Sequence, residues 1–398
     1  LNAAVELSPA EVRERFLWAK RQGNPAWLWP DIQVRDWREA LGKIEETLRA
    51  VLAGEEPPTL DGDPAAIGLA GYTSGVGPLL GWWVETGVIR ASPAVATVLE
   101  LHLRHNRARA ARMAVAAAAL VKALAAQSVP VVVLKGAHTA RTYFPDPGVR
   151  PASDIDLLVS AKDALAAETV LLSLGHVLES RAARESSWRP VGAPTEPRSL
   201  GLVHGDDPWS VDLHTSLDVF VSAGAPLAKL DALEPMAGGS VLSQPTLLLH
   251  LAVHAGSGMQ NLTLLRLVEL VLVIRKDLAE GRLSWDAFVE AGERAGALGY
   301  AYPALWLCEQ LAPGLTPSNV LDRCAAEAPP AVRRHLGRLT PATAQRIDGA
   351  SLSEHFMWTR GWGGRLRQLV WDIIPPADSW QAIYEKRAWR LIQGTFSR

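Results

Sequence analysis

Seven residues, Ser153-Asp154-Ile155-Asp156-Leu157-Leu158-Val159, constrain this chain more than any others. Apolar residues fill the gap between the two aspartates and the tail behind them, which is the composition of a buried strand rather than of a loop. Successive side chains on a strand alternate between its faces, so both carboxylates project from the same one. Side by side on an apolar strand, they repel each other unless a cation lies between them. A hard divalent cation with oxygen ligands is the usual answer, Mg²⁺ above all, with Mn²⁺ as an alternative. The fold must therefore contain a buried sheet strand whose acidic face is suited to metal-assisted phosphate chemistry.

Asp-x-Asp alone is a weak pattern, and a chain of this length yields about one by chance. Asp61-Gly62-Asp63 serves as an internal control. Gly54, Pro57, Pro58 and Pro64 flank it, so it reads as a solvated turn.

At 398 residues the chain is long enough for two or three domains with a sizeable core. A net charge of −2 gives no electrostatic reason to expect nucleic acid or an anionic membrane as a partner. No apolar stretch of spanning length is free of charged or strongly polar residues. The chain begins Leu1-Asn2-Ala3 without a signal-peptide pattern, and reads as trimmed. Cys308 and Cys324 are its only cysteines, too few for a disulfide framework or a zinc site, which favours a reducing cytoplasm.

Three regions follow from the pattern: a helical one over 1–127, an αβ core over 128–220 and a second helical one over 221–398. Ser8-Pro9-Ala10-Glu11 is a helix start, and helices are expected over 8–53. A Gly/Pro-rich segment covers 54–81, and a long helix starts near Pro93 and runs to about Gln127. Arg104, Arg107, Arg109 and Arg112 crowd its first part, most simply as a solvated face and otherwise as a phosphate-facing one. The apolar run 129–134 predicts a strand and is followed by Lys135-Gly136-Ala137-His138 and a short helix to Tyr143. After the acidic strand come a helix over 161–174, a strand over 175–180 and a loop over 181–198. Residues 200–204 and 209–215 read as a β-hairpin, and helices are expected from 244 to the end.

Three pieces of the αβ core fit one reaction. Gly136 lets backbone approach a ligand closely, and the helix after it aims free N–H groups at an anion such as a triphosphate. The Asp154/Asp156 strand follows after one short helix and a return loop. Asp212, in Ser210-Val211-Asp212-Leu213-His214, shares a strand face with Ser210 and His214 and needs a partner or a metal. If the two strands pair, three carboxylates converge, as two-metal phosphoryl chemistry requires. His214 either orients Asp212, contacts substrate or is structural.

In this order of strand, Gly-containing turn, helix, Asp-x-Asp strand and later Asp strand, the chain resembles the DNA polymerase β-like nucleotidyltransferases. Leu134-Lys135-Gly136, Tyr143-Phe144-Pro145-Asp146-Pro147-Gly148-Val149-Arg150-Pro151, the Asp-x-Asp strand and Val211-Asp212-Leu213-His214 are similar to the bacterial uncharacterised nucleotidyltransferase family. Members of that family are often found beside biosynthetic genes for ribosomal peptides, lasso peptides among them. The resemblance covers about 128–215 and extends to Arg275. It implies an α+β fold: a small mixed β-sheet core flanked by N-terminal and C-terminal helical domains. It also implies Asp154, Asp156 and Asp212 as ligands of two Mg²⁺ ions, with Gly136 and Ala137 in the phosphate-binding turn. The wider superfamily prefers Gly-Ser at that turn, so Ala137 lacks one expected hydroxyl contact. Lys135, Arg150 and Ser153 complete the expected nucleotide site, Lys135 compensating as a point charge. The reaction implied is transfer of a nucleoside monophosphate from a triphosphate, ATP included, to a hydroxyl or phosphate of a small molecule or peptide, with release of pyrophosphate.

In the helical flank, His250 and His254 share a helix face four residues apart, but Leu251 stands where a metalloprotease would carry Glu. Arg266 and Glu269 interrupt an apolar helix over 262–274 and read as an internal ion pair. His214, His250, His254 and Arg266 are the candidates for acceptor binding, in a cleft between core and helices. Trp358, Trp362, Trp371, Trp380 and Trp389 read as packing anchors, or as an aromatic groove. Two other readings remain open: a catalytically degenerate nucleotide- or peptide-binding protein, and an antitoxin-like interaction protein that retains the motif as a relic.

Overall fold

The computed structural model describes residues 31–373 apart from 195–196, 237–239, 259–261 and 347–351, together with 8, 10, 11, 14, 15 and 29. Trp380, Trp389 and the expected terminal helices beyond 373 lie outside the described residues, as does most of 1–30. At the expected first helix start, Ser8 and Glu11 cap each other reciprocally: Ser8 N–H donates to Glu11 Oε2 (2.8 Å) and Glu11 N–H to Ser8 Oγ (3.3 Å).

The N-terminal region is helical. α1 (Val34–Ala53) buries Trp37, Leu41, Ile44, Leu48 and Leu52, a stripe at helical spacing, and ends on Gly54 at φ 73°. The Gly/Pro-rich segment is largely helical. It holds α2 (Pro64–Ser74), whose first turn is capped by the Asp63 carboxylate, and α3 (Gly77–Glu85). Gly68, Gly77 and Gly81 mark close approaches to α4 (Pro93–Ala126): a Cβ on Gly81 would lie 2.3 Å from the Leu99 carbonyl oxygen.

A five-stranded sheet follows, in the order β1-β2-β5-β4-β3. Its strands are β1 (Val132–Val133), β2 (Asp154–Leu158), β3 (His176–Arg181), β4 (Glu185–Pro190) and β5 (Ser210–His214). β2 and β5 run parallel, and the other pairs are antiparallel. β1 is shorter than the apolar run because Pro130 has no N–H for a ladder. Two expectations fail in the same place. The segment read as a loop contains β4, and 200–204 does not pair with β5. β4 was hidden because its period-2 pattern is written in small and polar residues, with Ser186 and Trp188 buried. Residues 198–208 instead fold around the Asp207 carboxylate, which accepts N–H groups from Arg198 (2.6 Å) and His204 (2.7 Å).

The two faces of the sheet have different fates. Ile155, Leu157, Trp188, Val211 and Leu213 pack with Leu120 and Leu124 of α4 and with Val170 and Leu171 of α6 (Ala164–Ser173). Leu158 faces the other way and joins a larger core, in which Leu41, Leu80 and Leu99 share one cluster with Leu248, Leu267, Phe288 and Leu305. The helices on either side of the sheet in sequence therefore share that core. α7 (Thr246–Gly256) and α8 (Leu264–Ala279) come from its C-terminal part.

The arginines of α4 divide: Arg104 and Arg112 are exposed, as a solvated face requires, whereas Arg107 is half-buried and Arg109 buried. Arg107 bonds Glu85 and Asp146, buried Arg109 donates to the carbonyl of Pro208 (2.7 Å), and Arg112 pairs with Asp206. Through Asp146, Pro208 and Asp206, these three arginines tie loops near the carboxylate strands to the long helix. Trp358 is buried as expected of a packing anchor, whereas Trp362 is 84% exposed. Among the described residues, no helix is long and apolar enough to cross a membrane.

Candidate active site

Parallel pairing of β2 with β5 sets Asp156 opposite Asp212, with Asp154 opposite Ser210 and Leu158 opposite His214. Alternation puts all three aspartates and His214 on the face away from the α4/α6 core. One carboxylate oxygen from each of Asp154, Asp156 and Asp212 falls within 4.8 Å of the others.

Asp156 is the hub. Its Oδ1 receives Lys135 Nζ at 3.3 Å and His214 Nε2 at 3.1 Å, while its Oδ2 is buried without a hydrogen-bond partner among the described residues. Lys135 reaches it because Leu134 N–H donates to the Asp156 carbonyl (3.0 Å), so that α5 (Lys135–Thr142) starts beside β2. Lys135 Nζ also lies 2.9 Å from His254 Nε2 on α7. The other ring nitrogen of His214 is 3.5 Å from Glu185 Oε2. Asp154 Oδ2 accepts Ser153 Oγ–H at 3.0 Å, and Asp212 Oδ1 accepts Ser187 Oγ–H at 2.8 Å.

These contacts divide the three acids. Burial opposes charge on Asp156, yet the Lys135 ammonium and His214 outweigh it and hold the carboxyl down at about 2. Burial, and then repulsion from Asp156, push Asp154 up. Burial also pushes Asp212 up, with the Ser187 hydrogen bond opposing and the two neighbouring carboxylates adding to the rise. Burial works against the His214 cation, but its bond to Asp156 raises it above its usual range. His254 is driven well below its own range by burial and then by Lys135, so it meets the ammonium as a neutral acceptor.

A divalent cation fits these donors. Three convergent carboxylate oxygens form a hard, anionic set, and the orphaned, buried Asp156 Oδ2 is the kind of atom that a cation satisfies.

The acidic strand opens onto a cleft of about 220 Å³, lined by Asp154, Asp156, Lys135, Gly136, Arg150 and Ser153 on the sheet side. His254, Thr263, Arg266 and Glu269 line it from α7 and α8, and Tyr72 to Gly75 roof it from the end of α2. Ala137, Asp212 and His214 stand outside that lining. His250 does too: it is buried one turn before His254, and burial brings it down to about 3. Arg150 is committed elsewhere, its Nε and Nη2 clasping the two Glu269 oxygens at 2.7 and 2.9 Å. Glu269, read as the partner of Arg266, is thus held chiefly by Arg150, with Arg266 beside it in the wall. The residues of α2, Thr263, Glu185 and Ser187 carried no signal in the sequence. They lie on segments that read as Gly/Pro-rich, as loop or as apolar helix, and only the fold brings them to the acids.

The model of a family described as uncharacterised nucleotidyltransferase matches residues 73–313. The match takes in the roof of the cleft from Thr73 onwards, the whole sheet and both helices of the far wall. No curated protein matches the chain. Nor does any solved structure.

Proposed function

The chain belongs to the uncharacterised nucleotidyltransferase family, and from that premise we propose that it is a metal-dependent enzyme. It would transfer a nucleoside monophosphate from a triphosphate to a hydroxyl or phosphate acceptor and release pyrophosphate. The observation that carries this reading is the convergence of Asp154, Asp156 and Asp212, with a buried oxygen of Asp156 that has no hydrogen-bond partner among the described residues, beside a cleft that Lys135 and Arg266 help to line. Two Mg²⁺ ions held by these acids would polarise the phosphate oxygens and favour ionisation of the attacking hydroxyl.

Each part of the cleft has a task in this scheme. Lys135, at the start of α5, leaves Asp156 for the triphosphate, and Gly136 lets the backbone of the turn approach the phosphates. Arg266 and His254, from the helical wall, orient the acceptor. The acceptor would be a small molecule, or one side chain of a peptide. Two free, buried cysteines accord with a reducing compartment such as the cytoplasm. Ala137, without a hydroxyl for the triphosphate, favours a second reading in which the chain binds nucleotide without turnover.

Pyrophosphate release, measured for each of the four triphosphates with Mg²⁺ and with chelator, separates the two. Metal-dependent release that is lost in Asp154→Asn supports the transferase. Tight binding of metal and triphosphate without release, across hydroxyl and phosphate acceptors, supports the degenerate reading. Arg266→Ala is expected to lower transfer while leaving triphosphate affinity nearly intact.

A further inference from the structure

We infer that β4 is a positioning strand for the acidic triad: Ser187 orients Asp212, and Glu185, acting through His214, orients Asp156. This rests on the reading of the triad as a divalent-cation site. The register places both residues. β4 pairs antiparallel with β5, with Ser187 opposite Asp212 and Glu185 opposite His214. β5 in turn sets Asp212 opposite Asp156, so Ser187, Asp212 and Asp156 form one row across three strands. Alternation sends Ser186 and Trp188 into the other face, where Trp188 Nε1–H donates to Ser186 Oγ (2.8 Å). Two adjacent serines therefore serve opposite sides of the sheet.

The contacts complete a pattern. One oxygen of each acid is already engaged: Asp154 Oδ2 by Ser153, Asp156 Oδ1 by His214 and Lys135, and Asp212 Oδ1 by Ser187. A carboxylate held by one oxygen presents the other in a fixed direction, which is how outer partners orient metal ligands. For Asp156 the chain is two links long. Glu185 Oε2 lies 3.5 Å from His214 Nδ1, which favours the proton on that nitrogen and steadies the ring, and His214 Nε2 lies 3.1 Å from Asp156. Oδ2 is left over, buried and without a hydrogen-bond partner among the described residues. Neither Ser187 nor Glu185 lines the cleft, so neither is placed to touch a nucleotide. Their effect passes through the acids they hold.

The test is Mn²⁺ binding without nucleotide, by calorimetry and electron paramagnetic resonance, in wild type, Ser187→Ala, Ser187→Thr, Glu185→Gln and Asp156→Asn. Thermal midpoints in chelator are measured alongside. Ser187→Ala and Glu185→Gln are expected to weaken Mn²⁺ binding about 10- to 100-fold, the usual effect of removing an outer partner of a metal ligand. Their midpoints in chelator should stay at the wild-type value, and Ser187→Thr, which keeps the hydroxyl, should recover most of the affinity. Wild-type protein that binds no Mn²⁺ overturns the cation site itself, and the positioning role with it. Wild-type binding lost in Asp156→Asn but unchanged within twofold in both β4 variants overturns the positioning role alone. So does weakened binding that Ser187→Thr does not recover, or that comes with a lowered midpoint in chelator, because the strand would then be structural only.

Discussion

Replacing Asp154 or Asp156 by asparagine should abolish turnover equally, yet only the Asp156 change should lower the stability of the metal-free protein. Asp156 is held ionised by Lys135 at 3.3 Å and His214 at 3.1 Å, which bring its carboxyl from the ordinary 3.8 to about 2. At about 1.4 kcal/mol per pH unit, that depression corresponds to roughly 2 kcal/mol of folded-state stabilisation at neutral pH. Asp156→Asn forfeits it and leaves the Lys135 ammonium, 16% exposed, without its carboxylate. Asp154 is the reverse case, since burial and repulsion from Asp156 raise its carboxyl and its charge is a burden to the fold. Asp154→Asn removes that burden, so the protein should be as stable as wild type or more so. Chemical denaturation in chelator at pH 7 reads both effects, with a lower midpoint expected for Asp156→Asn and an equal or higher one for Asp154→Asn. Equal shifts of the same sign, or an Asp156→Asn protein as stable as wild type, would refute the division of roles between the two acids.

Further perturbations test the frame around the site. Buried His102, brought down to about 4 by burial and then by His105, stays neutral in the fold while the unfolded chain protonates near 6.5. The stability it contributes is present above pH 6.5 and lost as pH falls towards 4, by up to about 3 kcal/mol. His102→Gln should flatten the midpoint-against-pH curve in that window, and an unchanged slope would count against it. Gly81→Ala should destabilise by about 1–3 kcal/mol despite the better helix propensity of alanine, because the new Cβ meets the Leu99 carbonyl at 2.3 Å; a raised midpoint would contradict the close crossing. Glu269→Leu should cost about 3–5 kcal/mol by leaving Arg150 buried without its counterion, and adding Arg150→Met should recover most of it. A double variant no better than the single one would show that the pair does not act as a unit.

The acidic strand, the turn at Lys135-Gly136 and the strand of Asp212 were legible in the sequence because each is a local pattern. Apolar residues at period 2 or in a short run, interrupted by carboxylates, determine both strand and face without reference to the rest of the chain. The α+β character and the helical flanks followed from the same periodicities. β4 was not legible, since serines and an arginine gave it no apolar alternation, and its strand character comes from pairing with β3 and β5. The segment over 54–81 was read only as Gly/Pro-rich, without helices, because sequence does not distinguish a glycine that bends a chain from one that admits a neighbouring helix. Only the packed structure decided that Arg150 is committed to Glu269, that Lys135 bridges Asp156 and His254, and that α2 roofs the cleft. These are pairings between residues far apart in the chain, chosen by which charges are buried together. Spacing along a sequence carries no record of that choice, because the cost of an unpaired buried charge arises only once the fold has removed the water around it.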